Sequence, residues 1–169
     1  MAIALAILLI VAAVCDIRAH RIPNVLSVFG LALGLLRHGC RSGGPGLLWS
    51  SEGIVVACLA LLPYALGALG AGDVKLLGAV GALMGPVFLL WTLLGTIFFG
   101  AFLAIIWAMT RGVLRETLIN AAFGLHLLGA RAGVAALAST SKAGRMPLAP
   151  AIALGALWAF WHLYGQVMP

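Results

Sequence analysis

The chain has 169 residues, of which 64% are hydrophobic and 8% charged, and its mean hydropathy is +1.18. Ten basic and four acidic residues are too few to clothe a water-soluble fold of this length, so a soluble globular protein is excluded. Disorder and a collagen repeat are excluded by the same apolar excess, and the odd set Cys15, Cys40 and Cys58 gives no disulfide framework.

Apolar runs between polar breaks predict an all-α, polytopic membrane helix bundle of about six transmembrane helices in a single domain, 1–169. The spans are Ala2 to Cys15, Val25 to Leu36, Ile54 to Leu69, Leu76 to about Trp91, about Thr92 to Thr110, and Leu148 to about Val167. Gly85-Pro86 is the natural break in the long run after Leu76, because proline supplies no N–H to a continuing helix. Cys40 is expected in a polar loop between the second and third spans. Residues 111–146 are predicted to form a cytoplasmic, interfacial amphipathic segment, with 117–138 as a seventh span the rival reading. The first run lacks a charged start and a small-residue cleavage site, so it reads as a retained helix. Gly30-x-x-x-Gly34 and Gly81-x-x-x-Gly85 are expected to let helix backbones meet within the chain.

With the N-terminus outside, Arg18, Arg21, Lys75, Arg111, Arg115, Arg131, Lys142 and Arg145 all face the cytoplasm, leaving Arg37 and Arg41 outside. The net charge of +6 is therefore a topology signal; no basic stripe with interleaved aromatics points to nucleic acid.

The four acids are Asp16, Glu52, Asp73 and Glu116. Two predicted spans separate Asp16 from Asp73, and an even number returns the chain to the side it left. Both aspartates therefore share one membrane face, whichever way the chain is inserted. Taken singly, each has a plain reading. Asp73 could be an N-cap for the helix that follows it, and Asp16 an interfacial residue paired with Arg18 or His20. Glycines at 70 and 72 would allow unusual backbone angles and close approach of another segment. Taken together, two half-buried acids on one face are costly in a membrane and point to function. Two close carboxylates share one proton, so one can act as base and the other as acid, as in aspartic proteases. The sequence holds no Gly-x-Ser-x-Gly, no His-Glu-x-x-His and no Cys-x-x-Cys, and His20, His38, His126 and His162 are scattered, so no metal site is expected.

Two stretches resemble the prepilin peptidases, or type IV leader peptidases, membrane aspartic proteases of the Gly-x-Gly-Asp class. The first is Asp16-Ile17-Arg18-Ala19-His20-Arg21-Ile22-Pro23-Asn24, and the second is Gly70-Ala71-Gly72-Asp73-Val74-Lys75. Met146-Pro147-Leu148-Ala149-Pro150 is a weaker third echo. The resemblance implies that Asp16 and Asp73 are the catalytic pair and that Gly70 and Gly72 shape the backbone around the second. Pro23, Asn24 and Lys75 carry over as motif positions; Lys75 could orient the pair, bind a substrate carboxylate or anchor a short helix.

The larger bifunctional members carry an N-terminal cytoplasmic extension with paired cysteines. This sequence shows no such segment, so N-methyltransferase activity is expected to be absent. The compact form resembles the peptidases of Flp, or Tad-type, pilus systems. That implies Flp-type prepilin and pseudopilin substrates, cut on the cytoplasmic side of the bacterial inner membrane between a short basic leader and the apolar pilin helix. Water is the nucleophile, so no cofactor is expected; the substrate-binding residues are not identified. An intramembrane protease with other substrates and a proton-coupled transporter are the alternatives.

Overall fold

A computed structural model describes residues 1–65, 69–112 and 147–165, and every regular element among them is helical. The order is α1 (Ala2–Ala19), α2 (Asn24–Ala57) continued by a 3₁₀ turn (Cys58–Ala60) and α3 (Leu61–Ala65), then α4 (Ala71–Thr110) and α5 (Ala149–Tyr164). By length and composition, three described helical stretches are long and apolar enough to cross a membrane: Ala2–Ala19, Asn24–Ala65 and Ala71–Thr110. α5 is apolar but shorter.

Two of those stretches are folded back on themselves. In α2 the reversal is at Gly43 (φ 60°, ψ −137°), a left-handed conformation that glycine adopts without a Cβ penalty. His38 and Trp49 are consequently in ring contact, with centroids 4.7 Å apart, where an unbroken helix would separate them by about 16 Å. In α4 the reversal is at Gly85 (φ 83°, ψ 177°), immediately before Pro86. Pro45 and Pro86 each open the second half of a hairpin, where the missing N–H has no helical partner to lose.

The Gly85-Pro86 break therefore falls where the sequence predicts it. The expected polar loop around Cys40 does not form: Arg37 to Ser42 continue the first half of α2, and only the Gly43 turn interrupts the helix. A two-glycine reversal needs far fewer residues than the loop that polarity alone suggested. The span starts also shift by one residue, since α2 begins at Asn24 and α5 at Ala149, while Val167, the expected end of the last span, lies outside the described residues. The interfacial segment and its seventh-span rival fall almost wholly on 113–146, outside the described residues.

The first half of α4 is the centre of the bundle, with Leu76 through Gly85 all buried. In lipid no hydrophobic force drives helices together, so cohesion comes from close packing, and small residues make it possible. A Cβ on Gly53 would fall on the Gly81 carbonyl oxygen, one on Gly34 would lie 2.6 Å from the Ala82 carbonyl, and one on Gly95 would lie 2.7 Å from the Gly155 Cα. Gly30 likewise faces Leu8 and Ala79, so both glycine pairs noted in the sequence pack within the chain. The outer faces carry exposed Ile10, Phe29, Ile97 and Phe102.

Breaking α4 at Gly85 deprives the carbonyls of the preceding turn of helical partners. The α2 hairpin supplies two: Ser50 Oγ donates to Ala82 O at 2.6 Å, and His38 Nε2 meets Leu83 O at 3.2 Å. Trp49 lies against Gly85 itself, in the space a side chain there would need. The far end of the bundle is thus locked by contacts between its two reversals.

Candidate active site

At the opposite end, the sequence between Asp16 and Asn24 makes a tight corner. α1 stops at His20, whose left-handed backbone (φ 48°, ψ 32°) turns the chain while its N–H bonds back to Asp16 O at 2.8 Å. Pro23 then sits in extended conformation as the N-cap of α2. This corner places Asp16, in the last turn of α1, and Asn24, first in α2, against the start of α4.

Asp16 and Asp73 line one cleft of about 290 Å³, with His20, Arg21, Ile22, Asn24, Gly70, Ala71 and Gly72. Asp16 is 7% exposed. Its Oδ2 accepts the backbone N–H of Ala149 at 2.9 Å, from the first turn of α5 and 133 positions away. A helix N-terminus suits a carboxylate because its first N–H groups are unused by the helix and point outward. The Asp16 partner is therefore a backbone amide, where the sequence suggested Arg18 or His20.

Asp73 is the third residue of α4, and the N-cap is Gly70. Its Oδ2 reaches back to accept the Gly70 N–H at 3.0 Å. This is the returning half of a capping box, whose other half a glycine has no side chain to make. The N-cap role suggested for Asp73 thus belongs to Gly70.

The glycines of the second motif act by size. Gly70 has φ −85° and ψ 152°, open to any residue, and among the described residues positive-φ glycines occur only at 43, 85 and 112. A Cβ on Gly72, however, would lie 3.2 Å from the Ile22 Cβ, so the missing side chain lets the two motifs touch. Lys75 Nζ donates to Asn24 Oδ1 at 2.9 Å, a second tie between them across 51 positions. Of the three roles open to Lys75, this bond favours orientation of the site.

Every site residue named from sequence therefore lies at or beside this cleft, with Pro23 shaping the corner and Lys75 holding it. Sequence reasoning missed the Ala149 amide. Its only signal was the proline-flanked start of the last helix, Pro147-Leu148-Ala149-Pro150.

Residues 3–105 match the type IV leader peptidase family. The chain belongs to that family. Both motifs of this leader peptidase family member, and the cleft they build, fall inside the matched stretch. The chain is 32% identical over 165 residues to the prepilin leader peptidase/N-methyltransferase of Bacillus subtilis (strain 168), an alignment covering 94% of this chain and 53% of that protein. It thus spans about half the length of the curated relative it matches. No solved structure matches. Family and apolar helices together make the chain a multi-pass membrane protein.

Proposed function

We propose that this chain is an aspartic endopeptidase that removes the short basic leader from Flp-type prepilins and pseudopilins at the cytoplasmic face of the bacterial inner membrane. The observation that carries the reading is the meeting of Asp16 and Asp73 in one cleft, each with one carboxylate oxygen held by a backbone N–H.

In this mechanism one aspartate takes a proton from water as the water oxygen attacks the scissile carbonyl carbon. The other aspartate gives its proton to the carbonyl oxygen. The tetrahedral intermediate then collapses: its C–N bond breaks, a proton passes to the departing amine, and the leader leaves with a new carboxylate. The backbone bonds from Ala149 and Gly70 keep both side chains from swinging away, so the pair meets the substrate already oriented.

The cleft lies at helix ends, in the last turn of α1 and the first turn of α4. That favours cutting at the membrane surface over cutting within a transmembrane helix, and it argues against a proton path at mid-membrane. The two hairpins divide the described chain into six apolar helical segments, which supports six spans with the N-terminus outside. Arg18, Arg21, Lys75 and Arg111 then lie on the cytoplasmic side with the cleft. The methyltransferase activity in the Bacillus relative's name is not carried over: the mature product is expected to have an unmodified amine.

The test is co-expression with tagged Flp-type prepilins, read as a gel shift and by mass spectrometry of the product N-terminus. Loss of the leader with a free, unmethylated amine is expected; an intact leader across well-inserted substrates overturns the reading.

A further inference from the structure

A second concavity, of about 670 Å³, opens beside the cleft. Its floor is the second half of α4, including Leu90, Thr96, Ile97 and Gly100, and its walls are Leu77 from the first half of α4 and Leu59 from the turn after α2. Leu90 to Gly100 spans about 15 Å of helix, nearly three turns.

Three features decide what fits there. First, the groove is continuous with the cleft. Two of its rim residues, Leu69 and Leu148, directly precede Gly70 and Ala149, whose N–H groups hold Asp73 and Asp16. Second, its described lining is apolar apart from Thr96, whose hydroxyl proton is donated to Thr92 O of its own helix at 2.7 Å, so it offers an occupant's N–H groups almost no partners. A polypeptide that enters it must therefore satisfy its own backbone, which in lipid means a helix. Third, small residues, Ala60, Gly100 and Ala101, lie along it and permit a close backbone approach.

We propose that this groove seats the apolar helix of the substrate, with the helix's leader end delivered into the Asp16–Asp73 cleft. The proposal rests on the leader-peptidase reading and extends it by assigning the binding site that the sequence left unidentified. Seating three turns of helix beside the carboxylates fixes the depth of the scissile bond, so the cut site is set by distance along the substrate helix as well as by the residues flanking it.

The test is photo-crosslinking in membranes, with benzoylphenylalanine at Leu94, Ile97 or Ala101 in the groove and at Ile10 or Phe29, which do not line it, using a tagged prepilin as probe. Adducts from the groove positions, mapping to prepilin residues three and four apart, are expected, with at least tenfold less from Ile10 and Phe29. Equal labelling from both sets, or none from the groove, overturns the proposal. A second arm uses Ala101→Trp, which narrows the groove. It is expected to cut whole prepilin at least tenfold more slowly while cutting a short leader-junction peptide without the apolar helix within twofold of wild type; equal slowing of both substrates contradicts the proposal. The two readings fail separately. Groove adducts without cleavage by wild type sink the peptidase reading and keep the docking site, whereas cleavage without groove adducts does the reverse.

Discussion

Lys75 donates to Asn24 at 2.9 Å, joining the helix that begins with one motif to the helix that ends the other. The bond is exposed and charge-assisted, so its free energy is modest, but its position is not: it holds the starts of α2 and α4 at a fixed separation beside Asp16 and Asp73. Lys75→Met and Asn24→Ala should each slow prepilin cleavage by about tenfold. The double variant should be no slower than the worse single, with a coupling of about 1.4 kcal/mol, the tenfold loss itself, in a double-mutant cycle. Additive losses would mean that the two side chains act separately.

Gly72 is a contact, and size should govern its replacement. Gly72→Val is expected to reduce cleavage strongly, about a hundredfold, by forcing Ile22 and the corner of the first motif away from α4. Ile22→Ala in the same chain should restore part of the rate by returning the space. Rates of the single and double variants in one assay check this.

The Ala149 amide can be removed without touching a side chain that reacts. Ala149→Pro deletes the N–H that Asp16 accepts; it also presses Leu148, at φ −98° and ψ −21°, towards extended backbone. Cleavage should fall by one to two orders of magnitude. Ala149→Gly keeps the N–H and should retain most of the rate, which separates loss of the bond from loss of the Ala149 side chain.

At the far end of the bundle the expected losses are of stability. Ser50→Ala leaves the buried Ala82 carbonyl without its side-chain donor and should cost about 1–3 kcal/mol, seen as a lower Tm in detergent. Gly53→Ala sets a methyl group on the Gly81 carbonyl and should cost at least as much. For Ser50→Ala, the cleavage rate of the folded fraction should be unchanged, because the site lies at the start of α4 and Ala82 at its Gly85 reversal.

Much of this was legible from residue types. Proline after glycine at 85–86 marked a reversal, glycine spacing marked helix contacts, and a count of spans between Asp16 and Asp73 put both on one side. The Gly43 reversal was hidden, because Arg37, Arg41 and Ser42 resemble a loop by polarity while their backbone remains helical. The hold on Asp16 was hidden for a different reason. A backbone N–H carries no signature of residue type, and Ala149 is apolar. The motif glycines were legible as necessary but for the wrong reason at Gly70, whose dihedrals are ordinary.

The most direct test of the central claim is prepilin cleavage by Asp16→Asn and Asp73→Asn, each shown by protease protection to be inserted as wild type. Asparagine keeps an oxygen that can accept the Ala149 or Gly70 N–H, so the fold should survive while proton transfer is lost. Each substitution is predicted to abolish leader removal, with a rate loss of at least a thousandfold. Cleavage by either variant at more than a thousandth of the wild-type rate would contradict the account.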